Sequence, residues 1–271
     1  MNKQLNLFDR GEKARAYDNA IIRKTDIVIK VHGTDVELFR GSNKVIIPGS
    51  IYTASKHFGI VPPVKLPTYN TALGLDGIQA LSDAQELSAK VVLFCVGTDG
   101  CGPESSQVFD VDYTKWIRPE SLVPFRYVFD DNDLSPAMRE RYFGRKKLLG
   151  TDVIAYYFKA FETEPTLNVQ YIDGTPIDEN IYLSHKSMSE AETFVELKLT
   201  ITKDDCREFF DKTTGINDAK INTISLLTGV PVVIDGYTYY QGVRPLTKLN
   251  FPNESLIDLT KGIDITYHIY Y

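Results

Sequence analysis

The sequence predicts an α+β fold dominated by β-strands, an antiparallel sandwich or barrel with short helical insertions. One observation is alternation: Val195, Leu197 and Leu199 are separated by the polar residues Glu196 and Lys198, which is the period of a half-buried strand. A second is a set of hairpin signals such as Asp235-Gly236, which suits a two-residue type I′ turn. The third is the presence of sixteen tyrosines and fourteen phenylalanines with one tryptophan, because these rings favour sheets and interfaces.

The composition is that of a folded protein. The 271 residues are 24% charged and 43% apolar, and a chain of this length buries roughly three quarters of its unfolded surface. The net charge of −6 argues against a dedicated nucleic-acid binder. The start has no apolar segment before a small-residue cleavage site, and no later run is as long as a membrane helix. These features predict synthesis in a cytoplasm and no membrane partner.

The N-terminal third predicts an arm and then a hairpin. Residues 1–24 are predicted to be an N-terminal helical arm, because 11–24 is rich in helix formers, and 25–271 to be a single β-rich body. The arm packs on its own body in the preferred interpretation and reaches a neighbour in the other. Residues 27–39 predict a hairpin whose turn contains Gly33. The following short run, 45–47, is expected to end in a break at Pro48-Gly49.

The next segment mixes predicted helix and strand. Three prolines in 61–70 predict a surface crossing or a seam, and apolar spacing predicts a helix over about 76–89. The continuous apolar run 90–96 predicts a strand buried on both faces. Residues 107–117 and 125–130 are predicted to be further strands.

The central stretch has the clearest helix start and the densest positive charge. Ser135 before Pro136 predicts a helix N-terminus. The β-rich body is also expected to have, as one option, an internal seam near 131–150. Two aromatic strands are predicted after it, 153–161 and 167–172, the second ending in an Asp-Gly turn. The basic cluster before Gly150 consists of Arg139, Arg141, Arg145, Lys146 and Lys147.

The C-terminal third predicts mainly strands. Residues 176–189 are predicted to form an exposed loop, and 204–212 a short helix with its phenylalanines turned inward. Residues 232–241 predict a hairpin around Asp235-Gly236, and 263–271 a strand tied into a sheet.

Residues with catalytic or ligand chemistry are scattered. The glycine-rich loop 97–103 lacks the lysine and hydroxyl residue of a phosphate loop, and it is interpreted as a tight turn. Cys95, Cys101 and Cys206 have no metal-ligand spacing and fit a reducing compartment. Asp110 and Asp112 are expected on one strand face, as the wet side of an edge strand. We therefore predict no catalytic, cofactor-binding or metal-binding residues.

The basic cluster is the main candidate for a partner interface. With Tyr142 and Phe143 between its charges, it is expected first to meet an acidic protein surface, second to be a solvated helix face and third to contact DNA. Tyr237 and Tyr239, on the predicted hairpin, are added to this interface because tyrosine serves contact surfaces well.

Five sequence blocks carry a resemblance to a known group. They are VVLFCVGTDGCGP, LVPFRYVF, RERYFGRKK, AYYFKAFE and NVQYIDGTP, between residues 90 and 176. Together they resemble virion structural proteins of tailed bacteriophages, most nearly large gut phages of the crAss-like kind. The resemblance implies a non-enzymatic ring of identical subunits in the head-to-tail connector or tail. The implied partners are neighbouring portal, neck or tail proteins, with passing contact to DNA.

Two other functions compete with this one. The first is a receptor- or glycan-binding module of a tail fibre or baseplate, in which exposed tyrosines such as Tyr237, Tyr239 and Tyr240 form the binding surface. The second is a hydrolase, against which the lack of a spaced acid, base and nucleophile counts.

Overall fold

The structure is a computed structural model, and it describes eight stretches of the chain. These are 24–62, 67–102, 107–112, 114–171, 173–177, 191–215, 219–255 and 262–271. The predicted N-terminal arm, apart from residue 24, and most of the predicted loop 176–189 lie outside these stretches.

The described residues form mainly strands with short helices between them. The strands are Lys24–Val31 (β1), Glu37–Gly41 (β2), Lys44–Val45 (β3), Lys90–Gly97 (β4), Leu122–Val123 (β5), Arg126–Val128 (β6), Tyr142–Lys147 (β7), Ile154–Ala160 (β8), Thr166–Tyr171 (β9), Ala191–Ile201 (β10), Lys220–Ile234 (β11), Tyr237–Pro245 (β12), Thr247–Ser255 (β13) and Ile263–Tyr270 (β14). The helices are Ile47–Phe58 (α1), Tyr69–Leu73 (α2), Asp83–Leu87 (α3), Pro136–Arg139 (α4) and Arg207–Lys212 (α5), with 3₁₀ turns at Pro119–Ser121 and Asp131–Asp133.

The strands make two antiparallel sheets. The smaller sheet has five strands in the order β2-β1-β14-β10-β9. The larger has nine, on a path β3-β13-β11-β4-β8-β6 from which β12, β5 and β7 branch. Buried and half-buried residues alternate strictly along β14, which confirms the predicted period of the last strand.

The two sheets face each other across a shared apolar core. Ile29, Leu199 and Tyr267 come from the smaller sheet, and Phe94 and Ile224 from the larger, and all five are essentially inaccessible to water. This arrangement confirms the prediction of a β-dominated fold in its sandwich form. No sheet among the described residues closes into a barrel.

A second core covers the other face of the larger sheet. Tyr69 of α2 packs there with Leu93 and Phe158, next to the loop that carries Trp116. Strand β4 therefore has apolar neighbours on both sides, which confirms the prediction from its continuous apolar run.

The helices differ most from the prediction. Helix α1 was not predicted, because Pro48-Gly49 was interpreted as a break, yet proline is well tolerated in a first helical turn. Gly49 is required for packing, since a Cβ there would lie 2.2 Å from the Leu246 carbonyl oxygen. The helix predicted over about 76–89 is shorter than predicted: only α3 forms, because Gly77, with φ +67°, does not continue a helix.

The described residues of the range 107–117, which are 107–112 and 114–117, do not form the predicted strand. Val108 makes only an isolated bridge to Cys101. Asp112 turns back to accept hydrogen bonds from the backbone and hydroxyl of Thr114, and it pairs with Lys115. Asp110 and Asp112 therefore do not share a strand face, and the proposed edge-strand arrangement is wrong.

The basic cluster lies on a strand and not on a long helix. Ser135 caps α4 as predicted, accepting a hydrogen bond from the Met138 backbone N–H, but α4 ends at Arg139. The chain then enters β7, because Tyr142 and Phe143 are buried by pairing with β8. The alternative of a solvated helix face is therefore wrong for the part of the cluster in β7.

Candidate functional site

A cleft of about 320 Å³ opens between strands β7 and β12. Its walls combine tyrosine and phenylalanine rings with two arginines and one aspartate. The lining residues are Asp131, Arg139, Tyr142, Phe143, Gly144, Arg145, Tyr156, Tyr237, Thr238 and Tyr239.

The cleft exists because β7 and β12 face each other without backbone pairing. The segment that contains α2 satisfies parts of both edges. The Asn70 amide accepts from the Val243 N–H at 2.7 Å and donates to the Tyr240 carbonyl at 2.8 Å. On the other side the Asp76 N–H donates to the Arg145 carbonyl at 2.8 Å. These contacts keep the two strands apart and leave the cleft beside them.

The base of the cleft is an ionic group that we call the cleft triad: Arg145, Asp131 and Tyr156. Arg145 donates to Asp131 from Nε at 3.0 Å and from Nη2 at 2.8 Å, and its Nη1 donates to Asp76. The Tyr156 hydroxyl also donates to Asp131. Burial works to raise the pKa of Asp131, but the hydrogen bonds from Arg145 and Tyr156 outweigh it and lower that pKa.

Arg139 ties the β11–β12 hairpin to this base. Its Nε donates to the Asp131 carbonyl at 2.9 Å and its Nη2 to the Asn132 side chain at 3.0 Å. Its Nη1 donates to the Tyr237 hydroxyl at 3.1 Å, with the guanidinium carbon 5.6 Å from the ring centroid. The hairpin turn has the predicted type I′ geometry, with Asp235 and Gly236 both at positive φ.

The aromatic wall is partly supported by the core. Phe143 meets Tyr240 edge to face, with centroids 4.7 Å apart, so Tyr240 serves packing. The Tyr239 ring lies over Gly77, where a Cβ would approach it to 3.1 Å. Tyr237 is half-exposed at the rim.

Four of the seven predicted interface residues therefore meet at this cleft: Arg139, Arg145, Tyr237 and Tyr239. The other three lie elsewhere on β7 or just before it. Arg141 pairs with Glu162 at 3.4 Å, the Lys146 ammonium donates to the Leu73 carbonyl, and Lys147 is exposed. Much of the cluster's charge is thus neutralised within the chain, by Asp131, Asp76 and Glu162.

Sequence reasoning missed the acidic partners. Residues 130–133 were interpreted as a helix-entry cap, and two of them do cap the 3₁₀ turn: Asp130 accepts from the Asn132 N–H and Asp133 from the Asp130 N–H. The side chain of Asp131, the first residue of the 3₁₀ turn, accepts a hydrogen bond from Arg145 instead. Because Asp131 and Arg145 are distant in sequence and share no motif, the sequence did not predict this contact.

A second ionic group lies between the two sheets, and we call it the buried triad: Lys159, Asp205 and Tyr142. The Lys159 ammonium donates to Asp205 Oδ2 at 2.8 Å, and the Tyr142 hydroxyl donates to Asp205 Oδ1 at 2.6 Å. The side chains of Lys159 and Asp205 are only 1% and 0% exposed. Burial, followed by the Asp205 charge, raises the pKa of Tyr142.

The cysteines show no sign of an activated nucleophile. Cys95, Cys101 and Cys206 are buried and form no disulfides. Burial raises the pKa of the Cys95 and Cys206 thiols, which disfavours the reactive thiolate. In the described stretches no group of three histidine, cysteine or carboxylate side chains is placed to hold a metal ion.

Comparisons with known proteins give no relative to guide the interpretation. Protein-family models, curated proteins and solved structures all gave no match to this chain. Within the described residues, no helix combines the length and apolar character needed to span a membrane.

Proposed function

We propose that the chain is a virion structural protein, a subunit of a ring in the head-to-tail connector or tail of a tailed bacteriophage. The observation that carries the proposal is the placement of the blocks that resemble such proteins. Four of the five blocks form β4 to β8, which pair with one another in one part of the larger sheet. These four blocks therefore form one connected structural unit, whereas the fifth, NVQYIDGTP, begins in β9 of the smaller sheet.

Exposed apolar side chains mark the end of this unit. Leu149, in the β7–β8 turn, is 98% exposed, and Phe129, just after β6, is 59% exposed. The register places both at the same end of the sheet, because Ile154 pairs with both Val128 and Lys147. Exposed apolar groups at one end of a sheet are typical of surfaces that bind other proteins.

The internal neutralisation of the basic cluster favours assembly by shape over a grip on DNA. Arg145 already binds two carboxylates, and Arg139 uses three donors on groups of its own chain. A phosphate backbone would have to compete with these contacts. The apolar end is the surface that we expect a neighbouring subunit to cover.

Solution mass tests the proposal. We expect light scattering over a concentration series to give a multiple of 30.6 kDa, with closed rings of one diameter in negative-stain images. Leu149→Ser together with Phe129→Ser should reduce the assembly at least tenfold, because both side chains are buried on assembly. Val36→Ser, which changes an exposed residue beside the β1–β2 turn, is the matched control. A wild-type chain that stays monomeric at every concentration and on mixing with particle components would contradict the proposal.

A second candidate function, glycan binding, is favoured by the cleft itself. The cleft triad places charge-compensated polar groups beneath the rings of Tyr237 and Tyr239. Aromatic faces next to fixed polar groups suit a neutral sugar, whose apolar ring face and hydroxyls need both. We expect a glycan-array signal that Tyr239→Ala abolishes and Tyr271→Ala, at an exposed tyrosine outside the cleft, leaves intact. No signal across an array of bacterial surface glycans would remove this candidate.

A further inference from the structure

The buried triad brings together more reactive groups than an ion pair needs. Lys159 lies on β8 of the larger sheet, and Asp205 follows β10 of the smaller sheet, 46 residues further along the chain. Their side chains are the primary amine and the carboxyl group from which an amide forms. Glu162 Oε1 lies 3.6 Å from the same Lys159 nitrogen. The amine and the carboxyl group therefore meet in a site closed to bulk water, with a second, partly exposed carboxylate beside the amine.

We propose that Lys159 and Asp205 condense to an intramolecular amide bond that joins the two sheets of the sandwich, with Glu162 as the proton carrier. The Lys159 nitrogen attacks Asp205 Cγ, the bond from Cγ to Oδ2 breaks, and Oδ2 leaves as water. The ammonium brings three protons to an ionised carboxylate. One proton stays on the amide nitrogen and two leave with Oδ2, so that no oxidant, cofactor or other reactant is needed.

The contacts around the carboxyl group support this reaction. The Tyr142 hydroxyl is 2.6 Å from Asp205 Oδ1, where negative charge develops when the nitrogen attacks, and a fixed donor there stabilises the transition state. The Thr202 N–H is 2.8 Å from Oδ2, the oxygen that leaves. Both carboxyl oxygens are therefore held in place, which aligns Cγ for the amine.

The contacts around the amine support it as well. Lys159 Nζ donates to the Thr200 carbonyl at 2.7 Å, and this hydrogen bond can persist after condensation as the contact of the amide N–H. Glu162 Oε1 is 3.6 Å from the amine nitrogen, so a small side-chain movement or one bridging water lets it accept a proton from the amine. Burial of the pair favours the product, because a neutral amide replaces two charges that are costly to hold away from water.

The reaction depends on folding and not on local sequence. Reactive groups separated by 46 residues meet only when β8 and β10 are in their places in the two sheets. The bond is therefore expected to form after the chain folds, and to be absent from chain that is denatured before it folds.

Intact-mass spectrometry of the purified full-length chain after denaturation tests the proposal. We expect a mass below that of the sequence by one water molecule, and a branched peptide containing both Lys159 and Asp205 after proteolysis. Glu162→Gln, which keeps the Lys159–Asp205 contact, should have the full sequence mass. Glu208→Gln, which disrupts the neighbouring Arg126–Glu208 pair, is the matched control and should still lose water. Asp205→Asn should lose ammonia in place of water, because an amide nitrogen is then the leaving group.

Two results would overturn the proposal. One is a wild-type mass equal to that of the sequence after prolonged incubation of folded protein, which leaves Lys159 and Asp205 as an ion pair. The other is a water loss that maps to a linear peptide containing Asp173-Gly174 or Asp235-Gly236, where ring closure on the backbone also releases water. The branched peptide separates the two cases, because only condensation of the side chains joins two segments of the chain.

Discussion

The cleft triad and the buried triad use the same chemistry in different surroundings. Each places a cation opposite a tyrosine on the β7–β8 hairpin, since Arg145 pairs in register with Tyr156 and Tyr142 with Lys159. Each pair binds an aspartate from outside the hairpin. Arg145 and Asp131 are 25% and 34% exposed, whereas the buried pair is almost completely closed to water.

This difference shows that burial, and not residue type, decides how much such an ionic group contributes to the stability of the fold. Water and Asp76 also interact with the Arg145 guanidinium, so the ion pair of the cleft triad is screened. The cleft triad therefore defines the cleft surface and contributes little to the stability of the fold. The buried triad has no such support from water, and both sheets depend on it. The four predictions below test this contrast.

The largest effect is expected from Asp205→Ala. This change leaves the Lys159 ammonium buried without the Asp205 carboxylate and also prevents the proposed amide bond. The unpaired buried charge alone should lower the free energy of unfolding by about 3–5 kcal/mol. Denaturant unfolding followed by circular dichroism measures this loss. Glu37→Ala, which breaks an exposed pair with Arg40, is the control and should leave the free energy of unfolding nearly unchanged. A similar loss for both variants would refute the assigned role of burial.

Asp131→Asn should have a smaller effect that depends on pH. The pKa of Asp131 is lowered in the folded protein from its ordinary value of 3.8, so the ionised form stabilises the fold. This contribution is complete above the ordinary value and is lost as the pH falls through the lower folded pKa. At neutral pH we expect the variant to lose about 1 kcal/mol, because solvent screens a carboxylate that is 34% exposed.

The measurement for Asp131 is unfolding free energy as a function of pH. The difference between wild type and Asp131→Asn should shrink as the pH falls below 3.8. A difference that stays constant into strong acid would show that the Asp131 charge does not stabilise the fold. Asp35→Asn, at an exposed surface pair with Lys30, is a suitable control.

Gly77→Ala tests how tightly the cleft wall is held. Gly77 has φ +67°, and a methyl group there would lie 3.1 Å from the Tyr239 ring. We expect a loss of about 1–2 kcal/mol from the left-handed backbone conformation alone. Gly150→Ala is the matched control, since its φ is +75° but nothing lies within 4 Å of its added methyl. An equal loss in both variants would mean that the Tyr239 contact contributes nothing.

Lys147→Ala should have the smallest effect on stability, within about 0.5 kcal/mol, because its side chain is exposed and belongs to neither triad. The informative measurement is solution mass as a function of salt. A change in assembly at unchanged stability would assign Lys147 to the interface. A loss of stability would mean that its charge is used within the chain.

The sequence predicted the strands better than the helices, for a physical reason. Strands such as β4 and β14 have a hydrophobic pattern set by the core that they face. The helices are short and depend on tertiary contacts, such as the close approach of Gly49 to Leu246. The wrongly predicted strand at 107–117 has strand-like residues, but Phe109 bonds to Gly100 and to the Asn250 side chain in place of a neighbouring strand.

The candidate site was predicted in part. Arginines and tyrosines of the cleft were found because charge and aromatic residues cluster visibly in sequence. Their carboxylate partners were not, since Asp131 and Asp205 reach their cations only through the packing of distant segments. Whether a charge is free or already paired is a property of the folded chain.

The position of β14 has a consequence for the order of synthesis. This strand lies between β1 and β10, and it pairs with all of β1 and with residues 194–201 of β10. A ribosome releases residues 24–31 long before residues 263–270, so the first strand of the smaller sheet must wait until residues 263–270 have emerged. Meanwhile the apolar faces of β1 and β10 have no central partner, and in this interval a chaperone would be most useful to the nascent chain.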